Sequence, residues 1–263
     1  MSKVRFAFLG ATAFSKELLK HLVSNGYKPV AIFTIPEEFT ISYSEEKVRN
    51  TNFANLQELA KMLNIPCYEV DSSEGQRLAD YDAEIKDLNL DLVLVLGWYY
   101  MVPKKVRDLA TYGSWGIHAS MLPKYAGGAP LNWAIINGEN ETGVTLFRMD
   151  DGVDDGDIIA QKSFSIEYTD TIRDVYSKAT FFSKMILDEV FMDFNNLSFI
   201  PQDKDKIEVY PQRTPLDGEI NFNLGSNELY NFIRAQSAPY PGAYFKTCDG
   251  KKIVIESARI ESL

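Results

Sequence analysis

One histidine and a later run of carboxylates are the residues in this sequence best suited to moving protons: His118, then Asp150, Asp151, Asp154, Asp155 and Asp157. An imidazole titrates near neutrality, and a carboxylate beside it orients the ring and stabilises its charged form. Between them runs a loop dense in Gly and Pro, Leu122-Pro123-Lys124-Tyr125-Ala126-Gly127-Gly128-Ala129-Pro130, where backbone can approach a ligand closely. A histidine at a strand end, a glycine-lined wall and a returning carboxylate are the parts of an acid–base site for a small molecule. The acidic run lacks the closing Glu and the spacing of a calcium loop, so turn formation explains it better than a metal does. His21, late in a helical stripe, reads as structural, because a cation there suits the helix dipole.

The elements that must position these residues read as α/β. Residues 4–9 form a short apolar run ending at Gly10, residues 14–24 a helical stripe stopped by Asn25-Gly26, and residues 29–34 a second strand. Such a βαβ start favours a parallel sheet with a right-handed crossover. Gly10-Ala11-Thr12-Ala13 does not match a dinucleotide fingerprint. Residues 36–52 read as a mobile surface loop, a flap over the site. Helices are expected over 53–63 and 72–88, with a strand at 65–70. Residues 90–96 are the most apolar strand and therefore central. They run into Gly97-Trp98-Tyr99-Tyr100-Met101-Val102-Pro103, an aromatic loop at a strand's carboxyl end, where open α/β sheets bind ligands. A short basic helix from Pro103 to Ala110 follows.

Beyond His118 the pattern gives a helix at 131–137, a strand at 144–149 and another at 158–166. A long helix capped by Asp170 or Thr171 then runs to about Asn196. Both the Gly97–Pro103 loop and the Asp150–Asp154 loop are expected at carboxyl ends of adjacent strands. From Pro201 the chain changes to turns, a short helix near 228–234 and a hairpin across Asp249-Gly250. Two domains are expected, 1–200 and a small β-rich 201–263.

Composition narrows the functions. A formal net charge of −10 and two cysteines, Cys67 and Cys248, argue against a polyanionic partner, a disulfide framework or a Cys-based metal site. No apolar run approaches the ~20 residues of a membrane span. The N-terminus lacks a signal-peptide pattern, so a reducing cytoplasm is the expected compartment.

The stretch around His118 resembles the N10-formyltetrahydrofolate-dependent formyltransferases, which act on methionyl-tRNA, glycinamide ribonucleotide or amino sugars. The residues that carry the likeness are His118-Ala119-Ser120, Leu122-Pro123-Lys124-Tyr125, Gly127, Ala129-Pro130, Trp133, Gly143-Val144-Thr145 and Val153-Asp154-Asp155-Gly156-Asp157. The tail's Ile233-Arg234-Ala235 and Tyr240-Pro241-Gly242-Ala243 resemble the family's C-terminal portion. The resemblance implies a Rossmann-like catalytic domain with a mostly parallel sheet, then a small β-rich domain. It implies a catalytic Asn, His and Asp, of which His118 and Asp154 match, whereas the Asn position holds Gly116. Ala126 stands where many relatives have Arg, leaving Lys124 and Arg148 as the nearest cations.

The resemblance places the folate donor beside Gly97, Trp98, Tyr99, Met101, Val102, Asp150, Gly152 and Val153. It places the amine acceptor beside Gly116, Ser120, Lys124, Tyr125, Gly127, Gly128, Pro130, Asn132 and Trp133. Water, a substrate group, Ser120 or Asn132 are the candidates to fill the space at Gly116. The expected activity is formyl transfer from N10-formyltetrahydrofolate to a small-molecule amine, foremost a nucleotide-linked amino sugar, with a homodimer possible and neither nucleic acid nor membrane as partner. The rivals are methionyl-tRNA formylation, hydrolysis of the donor, and a binding protein whose catalysis left with the Asn.

Overall fold

In the computed structural model the described residues are 4–40, 47–50 and 52–262. In chain order the elements are β1 (Phe6–Leu9), α1 (Ala13–Ser24), β2 (Ala31–Thr34), β3 (Glu38–Phe39), β4 (Val48–Arg49), α2 (Leu56–Leu63) and β5 (Cys67–Glu69). Then come α3 (Asp82–Asp87), β6 (Leu92–Val95), α4 (Lys104–Arg107), β7 (Ser114–His118), β8 (Ala126–Gly127), α5 (Pro130–Ile136), β9 (Glu141–Arg148) and β10 (Ile158–Ser165). The long α6 (Ile172–Met192) is followed by β11 (Val209–Tyr210), α7 (Ser226–Arg234), β12 (Ala243–Lys246) and β13 (Lys252–Ile255).

Seven strands make one sheet in the order β10–β9–β7–β6–β1–β2–β5. The most apolar run, β6, is its middle strand and is buried along its length. Strands β1, β2, β5, β6 and β7 are parallel, and β9 and β10 are antiparallel additions. One face packs Phe6, Phe8, Leu92, Leu94 and Trp115 against α1 and α6; the other packs Ala7, Leu9, Val93 and Val95 against Val102 and Val106. Coverage on both faces is why these strands are continuously apolar rather than alternating.

The chain winds from β1 out to β2 and β5, then returns to place β6 on β1's other side. The order therefore reverses between β1 and β6, which opens a crevice at their carboxyl ends. There the amide of Ala11 donates to Gly97 O at 3.1 Å, and the Ser15 hydroxyl donates to Leu96 O at 2.5 Å. Thr12 and Ser15 also close the first turn of α1 in a reciprocal cap. His118 ends the neighbouring strand on the same side of the sheet.

Three expectations need correcting. Residues 72–88 are not one helix: short 3-10 turns at Ser72–Glu74 and Leu78–Tyr81 precede α3. Gly75, at φ +79°, stops the first turn, and the Asp71 carboxylate takes the Ser73 amide. The flap at 36–52 falls in part outside the described residues, at 41–46 and 51. Its flanks pair as β3 with β4, and Asn50 is buried with its amide donating to Ala11 O at 2.9 Å. Finally, the acidic loop does not leave a carboxyl end beside the Gly97 loop. Because β9 is antiparallel to β7, Arg148 lies opposite Trp115, and residues 149–157 must fold back along β7 to bring Asp154 to His118.

The C-terminal part is tied to this frame. Parallel pairing joins Val209 to Ala126 and Tyr210 to Gly127. α7 packs on α5, and the β12–β13 hairpin turns at Gly250, φ +77°. Among the described residues no helix is long and apolar enough to cross a membrane.

Candidate active site

Side chains alternate along β7, so Trp115 and Ile117 enter the α6 side while Ser114, Gly116 and His118 share the other face. The acidic loop lies over that second face. His118 is 8% exposed, and its Nε2 sits 2.7 Å from Tyr125 O. A carbonyl only accepts, so Nε2 carries the hydrogen and donates. Nδ1 lies 3.3 Å from Asp154 Oδ2, which also accepts the Gly127 amide at 2.8 Å. The arrangement makes Nδ1 the atom through which His118 and Asp154 share a proton, with Gly127 steadying the carboxylate.

Three non-glycine residues here adopt the left-handed conformation: Tyr125 at φ +57°, Ala129 at +49° and Asp154 at +51°. Each costs on the order of 1–3 kcal/mol and persists because its surroundings fix it. For the 120–125 turn, that fixing comes from the neighbouring strands. Thr145 Oγ1 donates to Ser120 O at 2.7 Å and accepts the Leu122 amide at 3.1 Å; Gln161 Nε2 donates to Leu122 O at 2.8 Å and to Thr145 Oγ1 at 2.9 Å. The Ser120 hydroxyl donates to Lys124 O at 2.6 Å. Tyr125 Oη donates to Glu139 at 2.8 Å, and burial pushes its phenol up to about 12.

The acidic loop is held from two sides. Arg107, buried, donates to Asp150 O and to the Asp151 carboxylate. From the other side the Gln202 amide donates to Asp154 O and Gly156 O, both at 2.7 Å. Lys204 pairs with Asp155 at 3.0 Å and Arg148 with Asp157 at 2.5 Å. A cavity of about 360 Å³ runs between this loop and α4, bordered by Arg107, Ser114, Arg148, Met149 and Asp150.

The space at Gly116 is filled. A Cβ built there would stand 2.7 Å from Met149 Cε and 3.4 Å from Phe147 Cε1. Neither Ser120 nor Asn132 points a donor into it: Ser120 is committed to Lys124 O, and the Asn132 amide donates to Ala235 O at 2.7 Å. An apolar thioether stands where an amide donor was expected.

The other sequence-derived positions spread around this centre. Gly97, at φ +66°, lies against the start of α1. Trp98 meets Tyr100 edge-on at 5.8 Å, and its indole N–H is buried without an acceptor among the described residues. Tyr99 Oη donates to Asn50 at 2.9 Å, Val102 is buried and Met101 is 78% exposed. Gly152 and Val153 are exposed on the acidic loop. Gly127, at φ +90°, and Gly128 admit the β11 segment, Gly128 N donating to Tyr210 O at 2.8 Å. Pro130 opens α5, Lys124 is exposed, and Trp133 donates to Pro211 O at 3.0 Å beneath the Arg213 guanidinium, 4.7 Å from the ring.

Met149, Arg107, Gln161 and Gln202 are the members that sequence reasoning missed, and Thr145 entered it only as part of the family likeness. Thr145 and Gln161 are direct partners across β9 and β10, so only the pairing register could have joined them. Among the described residues no group of three or more His, Cys, Asp or Glu is arranged to hold a metal ion.

Comparison with known proteins identifies the family. The formyl transferase family model matches residues 3–191, and the model of the formyl transferase C-terminal domain matches residues 213–263. The methionyl-tRNA formyltransferase of Caldanaerobacter subterraneus subsp. tengcongensis is 32% identical over 98% of this chain and 81% of its own. A sugar N-formyltransferase structure from Shewanella sp. has a TM-score of 0.73 at 18% identity, covering 98% of this chain and 99% of that one. The N-formyltransferase from Helicobacter canadensis, solved with folinic acid and dTDP-3-aminofucose, has a TM-score of 0.67 at 23% identity over 88% and 80%. The two solved structures share the fold. The two family matches, one of them spanning most of the chain, and the methionyl-tRNA relative show that this chain belongs to the formyl transferase family.

Proposed function

We propose that this chain moves a formyl group from N10-formyltetrahydrofolate to the primary amine of a small molecule, with a nucleotide-linked amino sugar as the acceptor class. The observation that carries the reading is the His118–Asp154 contact, 3.3 Å, held beside Gly127 in the crevice of a formyl transferase fold. The residues present suit the donor: the Trp98 indole N–H is buried without an acceptor among the described residues, and Trp98 packs on the same apolar cluster as Val102 and Met149. A flat heterocycle with polar edges satisfies such a group. On this reading Gly97, Trp98, Tyr99, Met101, Val102, Asp150, Gly152 and Val153 border the donor. Gly116, Ser120, Lys124, Tyr125, Gly127, Gly128, Pro130, Asn132 and Trp133 border the acceptor.

The bound folate supplies an activated formyl carbon. A bond forms from the acceptor nitrogen to that carbon, the bond to N10 breaks, the acceptor nitrogen loses a proton and N10 gains one. In this chain Asp154 and His118 Nδ1 hold and pass that proton, while the Tyr125 carbonyl keeps the ring from turning. With Met149 beside Gly116, β7 contributes no amide donor to the formyl oxygen. A donor of that kind is worth on the order of 10²–10³ in rate, so the reaction runs without that increment.

The acceptor class is supported by the chain's net charge of −10 and by solved sugar N-formyltransferases that share its fold. The 32% identity to a methionyl-tRNA formyltransferase favours a second reading, formylation of charged tRNA. The test is a formyl-transfer assay offering nucleotide-linked amino sugars and methionyl-tRNA side by side, with donor loss measured in the absence of any amine. Product from the sugars alone supports the proposal. Product from tRNA alone replaces the acceptor, and donor loss without amine replaces transfer by hydrolysis.

A further inference from the structure

Tyr125 touches the site with its backbone and the end of a helix with its side chain. Its carbonyl takes the His118 Nε2 hydrogen at 2.7 Å, while its hydroxyl reaches the carboxyl end of α5. There the phenol oxygen accepts from the Asn137 side-chain amide at 3.2 Å and donates to Glu139 Oε1 at 2.8 Å. The Tyr210 ring lies against that of Tyr125, with centroids 4.8 Å apart. Burial pushes the phenol up to about 12, so it keeps its proton and remains a donor at neutral pH.

The end of α5 explains how Asn137 and Glu139 come to meet this hydroxyl. Gly138, at φ +73°, turns the chain, its amide donating to Ile135 O and the Glu139 amide to Ala134 O, both at 3.0 Å. This is the left-handed glycine cap, built from backbone alone, and it needs neither side chain. The Glu139 carboxylate forms no ion pair among the described residues; its bond is the one to Tyr125. An anion near a helix carboxyl end is opposed by the carbonyls exposed there. The helix therefore gives no reason for the carboxylate, whereas the phenol does. A charged acceptor makes such a hydrogen bond roughly twice as strong as a neutral one.

We propose that Glu139 is a positioning residue for His118: by holding the Tyr125 hydroxyl it keeps the Tyr125 carbonyl on Nε2, a hydrogen on that nitrogen, and Nδ1 turned to Asp154. The inference rests on the acid–base role given to His118 above. A carbonyl opposite a bare nitrogen would set two acceptors together, so its placement selects the form with Nε2–H. That placement depends on Tyr125 staying left-handed at φ +57°, a conformation that persists only where the surroundings impose it. The chain on either side is tied elsewhere, Lys124 O to the Ser120 hydroxyl and Ala126 to Val209. Tyr125, between them, is anchored by its side chain. Released from Glu139, it can relax, and the imidazole can then turn or move its hydrogen.

Nuclear magnetic resonance of the full chain, with nitrogen-15 in its two histidines, reads this hydrogen with no substrate present. His21 is the internal reference, its Nε2 facing Asp188 at 2.7 Å between α1 and α6. In wild type the His118 Nε2–H should exchange slowly with water. Glu139→Ala should speed that exchange about tenfold or more and lower kcat by about tenfold, with KM altered less than about twofold. Glu139→Gln still accepts from the phenol and should bring both back toward wild type. Tyr125→Phe, which deletes only the hydroxyl, should exchange as fast as Glu139→Ala, and it decides the matter if that variant does not fold. The proposal is overturned by a wild type without a slowly exchanging Nε2–H, by Glu139→Ala exchanging as slowly as wild type, or by Glu139→Gln no better than Glu139→Ala. Faster exchange with unaltered formyl transfer upholds the grip on the ring and removes His118 from the acid–base role instead.

Discussion

On the proposed function His118 and Asp154 act as a pair, because the other contacts of each leave it the one to its partner. Nε2 is spent on the Tyr125 carbonyl and Asp154 Oδ2 is shared with the Gly127 amide, which leaves the contact at Nδ1. His118→Ala and Asp154→Asn should each lower kcat by about 10²–10⁴-fold, the usual worth of a positioned acid or base. Thermal unfolding should show both variants still folded. An unaltered rate in either removes that residue from the chemistry. At Gly116 the structure sharpens what a restored amide would do. Gly116→Asn alone drives its new Cβ into the Met149 methyl and should not accelerate transfer. Combined with Met149→Ala, which clears the far end of that flexible side chain, it should raise kcat by on the order of 10²-fold if the amide reaches the formyl oxygen. No gain in the double variant would mean that this position does not face the oxyanion. The nearness of His118 to Asp154 was legible through the family resemblance, whose motifs lie on one short stretch. Met149 was not, since its role depends on β9 running antiparallel and on how far the chain folds back after Arg148.

Individual elements were legible where a local signal bounds them. α1 stops at Asn25-Gly26, α6 starts after its cap Thr171, and Gly250 turns the terminal hairpin, all from short-range chemistry. Residues 72–88 were misread because their apolar spacing is helical while Asp71 and Gly75 break the backbone early. Loop anchors from distant segments are invisible locally, and Gln202 is the plainest case. Its amide holds two carbonyls of the acidic loop, one of them on Asp154 itself. Gln202→Leu should lower kcat and speed amide hydrogen exchange across residues 154–157. It should destabilise the fold by about 1–3 kcal/mol, the cost of leaving buried carbonyls unpaired. A slowed reaction with unchanged exchange would detach Gln202 from the loop's order.

Across the whole molecule, a mostly parallel sheet was readable from the alternation of strand and helix. The docking of the C-terminal part was not, because it rests on contacts such as the Tyr176–Tyr240 hydroxyl pair at 2.6 Å. Burial raises both phenols above their ordinary range. A raised folded pKa contributes stability that is complete below the unfolded value of about 10 and is lost as pH climbs beyond it. The melting temperature should therefore fall as pH rises from about 10. Tyr240→Phe should flatten that fall while costing some stability at neutral pH. Equal alkaline slopes in the two proteins would show that the pair does not govern the effect.

The pairing of Tyr210 with Gly127 also orders events during synthesis. The loop that carries the Asp154 contact at Gly127 is complete only after residues far downstream have left the ribosome and laid themselves beside it. On the proposed function, a nascent chain that has already formed its parallel sheet still lacks the backing of its Gly127 loop, which Val209 and Tyr210 supply.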